Sequence, residues 1–139
     1  MNELEREIVN ALLSGPGPEL AVLRQQAAQA RVATREHTGV GQYTYFEVPG
    51  TAPKLPLTRR FCLDDIAADV QGVEHGVLFI LWGENGRIEC LEAATYTGCL
   101  PADPQLIRWR YLMKAPGSTG QLVAAPSRDM SSVFRSLAG

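Results

Sequence analysis

Apolar residues recur at helical spacing near the start of the chain, at Leu4, Ile8, Leu12 and Leu13, with Asn2 placed to cap the run. Ser14-Gly-Pro-Gly-Pro18 then stops that helix, because glycine and proline cannot continue it cheaply. A second helix is predicted from about Pro18, with Leu20, Leu23, Ala27 and Ala30 on its buried side. Proline in its first turn costs nothing, since that N–H has no helical partner anyway.

From Arg31 the period falls to two. Val32, Thr34 and Glu36 alternate with Ala33, Arg35 and His37; Thr38-Gly-Val-Gly41 turns the chain, with Gly39 and Gly41 as its structural glycines, and Gln42 to Val48 reads as the next strand. Pro49 to Pro56 is a loop, and Phe61 to Val70 a less regular strand with a bulge expected at Asp64-Asp65. The sharpest local signal is a hairpin. Val77-Leu-Phe-Ile-Leu-Trp82 and Arg87-Ile-Glu-Cys-Leu-Glu92 flank Gly83-Glu-Asn-Gly86, and Asn85-Gly86 suits the two positive φ angles of a type I′ turn. Strict alternation in the second strand would put Ile88, Cys90 and Glu92 on one face, Glu89 and Leu91 on the other. Leu106 to Met113 supplies a last strand. Near the end, Ser127 as a cap and Met130, Val133, Phe134 and Leu137 at helical spacing predict a short amphipathic helix.

These elements predict an α+β fold. Two N-terminal helices pack on a curved, mainly antiparallel sheet of about five strands, with a short C-terminal helix. Residues 1–114 are read as one domain, 115–126 as a linker, and 127–139 as a helix docked on the domain or on a partner.

The length of 139 residues suits that plan, and 45% hydrophobic with 20% charged residues is the composition of an ordinary globular protein. The net charge of −2 comes with scattered arginines, so neither a nucleic-acid footprint nor a membrane surface is indicated. The odd count of three cysteines argues for a reducing compartment over a disulfide framework. Met-Asn-Glu-Leu-Glu-Arg-Glu is no basic start to an apolar run, so the expected location is cytoplasmic.

Candidate chemistry is sparse. His37 and His75 have no partner at metal-site spacing, so no metal or cofactor is expected. Cys62, Cys90 and Cys99 lie in no nucleophile motif, and the phosphate-loop and serine-hydrolase patterns fail, so no catalytic residue is assigned. The carboxylates to watch are Glu89 and Glu92, beside the polar run Thr95-Tyr96-Thr97. An inward Glu on a central strand must be paired, neutral or lining a pocket, and Arg35, Arg87 and Arg108 are the available counter-charges.

Three segments carry a resemblance: Thr38-Gly-Val-Gly-Gln-Tyr-Thr-Tyr-Phe46, Gly76-Val-Leu-Phe-Ile-Leu-Trp82 and Gly86-Arg-Ile-Glu-Cys-Leu-Glu-Ala-Ala-Thr-Tyr96. Together they resemble a group of small bacterial α+β proteins of no known activity, with a Thr-Gly-Val-Gly segment followed by aromatic residues and Thr, and a later Leu-Glu-Gly-Tyr-Thr-Tyr segment. The likeness spans about residues 20 to 100. It departs at Ala93-Ala94, where the group has Gly-Tyr, and at Leu100-Pro101, where Trp-Pro is usual. It implies a fold type and singles out Gly39, Gly41, Thr44, Glu92 and Tyr96.

Two functional readings stand side by side. One is a non-enzymatic protein-binding module, an immunity-like or accessory protein, which the aromatic-rich strands and the appended helix favour. The other is a small-molecule site or small enzyme with a pocket around Glu92 and Tyr96, helped by Thr44, His37 and Arg35. Self-association through a strand edge is compatible with both.

Overall fold

In a computed structural model, which describes every residue except Thr97, Ser118, Thr119 and Gly139, the side chain of Asn2 opens the first helix, α1 (Glu3–Leu12), by a capping box. Its oxygen accepts the Glu5 N–H and the Glu5 carboxylate accepts the Asn2 N–H, both at 2.8 Å. The glycines and prolines after Ser14 turn the chain into α2 (Pro18–Gln29). Seven strands follow, β1 (Arg31–His37), β2 (Gly41–Glu47), β3 (Phe61–Val70), β4 (Val77–Glu84), β5 (Arg87–Thr95), β6 (Leu106–Lys114) and β7 (Leu122–Ala124), before a last helix, α3 (Met130–Leu137).

The strands form one open sheet in the order β1-β2-β5-β4-β3-β6-β7, with every neighbouring pair antiparallel. The fold is therefore α+β, but with seven strands where about five were expected. The additional pairing lies at the margins. β7 is three residues long, hydrogen-bonds to β6 alone, and lies inside the stretch 115–126 whose Pro, Gly and Ser content reads as a linker. At the C-terminal helix the cap is Asp129 instead of Ser127.

One core fills one side of the sheet. Ile8, Val9 and Leu12 of α1, Leu20 and Leu23 of α2, and Val133 and Leu137 of α3 meet alternate strand residues such as Ile66, Phe79, Leu81 and Leu91 in a single apolar cluster. The opposite side carries no helix, so most of its side chains are only half-buried, by one another, with Cys90 buried among them.

The register slips in β1 at Ala33, which puts Val32 on the core side and Thr34 and Glu36 on the other against the expected alternation, and in β3 between Asp69 and Val70. Besides these, two irregularities set how the central strands face. The first is the bulge expected in β3, where the register slips between Leu63 and Ile66 at Asp64-Asp65. The second lies in β5, where Trp82 pairs with Cys90 but Gly83 pairs with Ile88, leaving Glu89 as an extra residue. This bulge overturns the simple alternation. Ile88, Leu91 and Ala93 join the core, whereas Cys90 pairs with Tyr45 and Trp82, and Glu92 with Tyr43 and Ile80, on the uncovered face. The turn between β4 and β5 has Asn85 at φ 51° and Gly86 at φ 76°, as a two-residue type I′ turn requires. A Cβ on Gly86 would also collide with the Leu55 carbonyl oxygen, so the 49–57 loop lies directly against the turn.

Two buried polar side chains fasten the helices. Gln26, fully buried on α2, donates from Nε2 to the carbonyls of Pro53 and Gly86 and accepts the Ile88 N–H, each at 2.9 Å. Arg128 forks onto Asp65 (2.8 and 2.9 Å) and donates to the carbonyls of Leu12 (2.7 Å) and Ser14 (2.6 Å) at the end of α1. Helix carbonyls that would otherwise lack partners are satisfied there.

Replacing Gln26 with Leu keeps the volume and takes the side-chain partner from the Pro53 carbonyl and the Ile88 N–H, while the Gly86 carbonyl keeps the Leu55 N–H at 3.0 Å. The expected loss is about 2–4 kcal/mol of folding free energy, read from urea unfolding, with the secondary structure of the folded state unchanged.

Candidate functional site

The residues singled out by sequence fall on both sides of the sheet. Arg35 and Thr44 are cross-strand partners on the helix side, and both reach Glu5. Arg35 forks onto the Glu5 carboxylate at 2.7 and 3.0 Å, Thr44 Oγ1 donates to it at 2.6 Å, and Gln42 Nε2 donates to Thr44 Oγ1 at 3.2 Å. With the Asn2 N–H, the buried carboxylate of Glu5 accepts four hydrogen bonds. Burial pushes its pKa up, but the bonds from Arg35, Thr44 and Asn2 outweigh this and hold it below the ordinary value of 4.5. The arrangement fixes α1 to the edge of the sheet and consumes the groups it gathers.

His37 is exposed at the end of β1, beside a shallow cleft of about 250 Å³ that Arg35, Gln42 and Asp103 also line. Tyr96 follows β5, is 72% exposed, and lines a separate cleft of about 210 Å³ with His75, Leu78, Arg110 and Leu122. Glu92 does not line that cleft. Thr97, which follows Tyr96 in sequence, lies outside the described residues. Gly39 adopts φ 83° in the β1–β2 turn, and a Cβ on Gly41 would collide with the Ala93 carbonyl oxygen, which binds the turn closely to β5.

Glu92 belongs to the uncovered face. Cross-strand pairing lays out two adjacent rows there: Thr34, Tyr45, Cys90, Trp82 and Cys62 in one, Glu36, Tyr43, Glu92 and Ile80 in the other. The Glu92 carboxylate accepts hydrogen bonds from Trp82 Nε1 at 2.9 Å and from the Tyr43 hydroxyl at 3.2 Å. None of the three arginines expected as counter-charges serves it. Arg35 is on Glu5, Arg108 pairs with Asp69 at 2.6 Å, and the Nε of Arg87 has no hydrogen-bond partner among the described residues. Tyr43 stacks on Tyr45 with centroids 6.1 Å apart, and the Arg60 guanidinium lies 4.3 Å from the Trp82 ring centroid. Beyond these rows, Ala94, Leu78 and Ala67 continue the face towards Arg110.

Sequence reading missed Glu5, Tyr43, Trp82 and Arg60 as parts of these assemblies. For Glu5 a signal existed, since Asn2-x-x-Glu5 is a capping-box pattern. For the others the signal required knowing the register.

The thiols of Cys62 and Cys90 are poorly placed for nucleophilic work. Burial, reinforced by the nearby Glu89, pushes Cys90 up to about 11, and burial likewise raises Cys62. Cys62 and Cys90 stand two strands apart across Trp82, about 10 Å and too far to be bridged. Among the described residues no group of three or more His, Cys, Asp and Glu side chains is arranged to hold a metal ion, and no helix is long and apolar enough to cross a membrane. No family model, no curated protein and no solved structure matches the chain.

Two outcomes are expected. Because the Glu5 carboxyl sits lower folded than unfolded, its contribution is complete above about pH 4.5 and is lost as the pH falls through the folded value. Glu5→Gln should cost about 1–3 kcal/mol at pH 7 and flatten the fall of Tm between pH 5 and 3, measured by thermal melts across that range. In native alkylation with iodoacetamide at about pH 8, exposed Cys99 should be modified first and Cys90 only after unfolding, read by peptide mass spectrometry.

Proposed function

We propose that the protein is a non-enzymatic protein-binding module of the immunity or accessory type, and that the uncovered face of the sheet is its binding surface. The observation that carries this reading is the content of that face: Tyr43, Tyr45 and Trp82 beside Ile80, Leu78 and Ala94, across the central strands β2, β5 and β4. Tyr and Trp bring large contact area with a polar handle, and are the residues most often found to dominate binding at protein interfaces. The clefts beside His37 and Tyr96 are small, about 250 and 210 Å³, whereas the aromatic and aliphatic side chains of the face spread over three strands, which suits a macromolecular partner better than a small ligand. Hydrogen bonds from Trp82 and Tyr43 to Glu92 hold the aromatic rings in place before any partner arrives, reducing the ordering cost of association.

The test is affinity capture of the tagged full chain from a lysate of its own organism, with face variants run in parallel. A near-stoichiometric protein should be retained by the wild type and by Gln25→Arg, on an exposed position of α2, and lost with Ile80→Lys, all three having the same circular dichroism. Retention by Ile80→Lys, or no stoichiometric protein with the wild type, overturns the reading.

A further inference from the structure

The uncovered face already holds one guanidinium of its own chain. Arg60 lies over Trp82 at 4.3 Å, and the Glu89 carboxylate stands 4.0 Å from its Nε. An aromatic plane with an acid beside it is the combination that retains a cation in a partly dry site.

The same combination recurs on β1, β2 and β5. Glu36, Tyr43 and Glu92 are direct cross-strand neighbours, and Tyr43 stacks on Tyr45 at an interplanar angle of 24°. The Tyr43 hydroxyl donates to Glu92 at 3.2 Å and that of Tyr45 to Glu36 at 3.5 Å. Two strand spacings separate Glu36 from Glu92, so their backbones stand about 10 Å apart with the rings between them. Both phenols hold their protons more tightly than usual, Tyr43 chiefly through the Glu92 charge, Tyr45 chiefly through desolvation and then Glu36. Among the described residues, the guanidinium groups that lie over rings are those of Arg60 on Trp82 and Arg128 on Tyr111, and none lies on this pair.

We propose that the Tyr43–Tyr45 stack, framed by Glu36 and Glu92, receives an arginine side chain of the partner protein. The proposal rests on the reading of this face as a protein-binding surface and names what that surface selects. Arginine fits better than lysine, because its plane lies flat on the rings while its fork reaches a carboxylate, and because it is less strongly hydrated than an ammonium. The occupant is taken to be another protein, because two copies meeting through this same face would bring only arginines already engaged: Arg60 by Trp82 and Glu89, Arg108 and Arg110 by Asp69.

The probe is N-acetyl-glycyl-arginine amide, titrated into the full chain with isotope-labelled tyrosine and followed by the NMR shifts of the Tyr43 and Tyr45 rings. The shifts should saturate, weaken as salt is raised, and weaken about three- to fivefold in Glu36→Gln and in Glu92→Gln, the charge being removed while the side-chain shape is kept. The lysine peptide should bind more weakly, and the citrulline peptide, which keeps the plane and loses the charge, weakest of all. Equal response to arginine and citrulline, shifts confined to other residues, or unchanged binding in Glu36→Gln, whose exposed edge position leaves the fold untouched, would overturn the proposal. So would a wild-type dimer in sedimentation that Glu36→Gln dissolves, because the occupant would then be a second copy. If the peptide fails while lysate capture still depends on Ile80, the arginine assignment falls and the binding face stands.

Discussion

All three helices of this protein draw on the same side of one sheet, and that single constraint orders everything else. The apolar positions of six of the strands and all three helices converge on one core, so the sheet must be dry on one face and stable in water on the other. A sheet with one bare face is stable when its exposed side chains shield each other and their polar atoms are paired. Here Trp82 and Tyr43 bond laterally to Glu92, Arg60 lies on Trp82, and Asp69 holds Arg108 and Arg110. The pairs run across the strands, parallel to the surface, and tie neighbouring strands through their side chains as well as their backbones.

Much of the framework is legible in local chemistry. Asn2 and Glu5 write the first cap, Ser14 to Pro18 writes the break, and Asn85-Gly86 writes the hairpin turn. Asp64-Asp65, two acidic residues inside an otherwise apolar strand, marks the bulge in β3. The second bulge, at Glu89, leaves no such mark, because Arg-Ile-Glu-Cys-Leu-Glu alternates well enough without it. One inserted residue exchanges the faces of Cys90 and Leu91, and with them the surroundings of Glu92. β7 was hidden for a different reason. A three-residue strand held by one neighbour needs no periodicity of its own, and its partner strand supplies the order.

The candidate site was half legible for a related reason. Glu92 stands out as a charge on a central strand, but the residues that give it a setting, Tyr43 and Trp82, are distant in sequence and become its neighbours only through register. Arg35 and Thr44 were drawn to attention with it because they share the same stretch of sheet, yet they serve Glu5 on the opposite side. Polar residues one position apart on a strand belong to different environments, and no composition argument separates them. Glu5 itself directs its negative charge inside the protein, to Arg35, so it adds nothing to the acidity of the uncovered face, where Glu36, Glu89 and Glu92 stand and Asp69 is matched by Arg108 and Arg110.

The Arg128 contacts bear on when the molecule can be completed. The carbonyls that end α1 are satisfied by a side chain 116 residues further along, and the Tyr111 hydroxyl donates to the Ala11 carbonyl from a comparable distance. A chain emerging from the ribosome therefore carries its first helix long before it carries the groups that finish it. Until Arg128 is available the Leu12 carbonyl must bond to water, whereas the Leu13 carbonyl is served from nearby by Arg24. Without Arg128 the Leu12 carbonyl and Asp65 would both lose the partner that joins the first helix to the third strand.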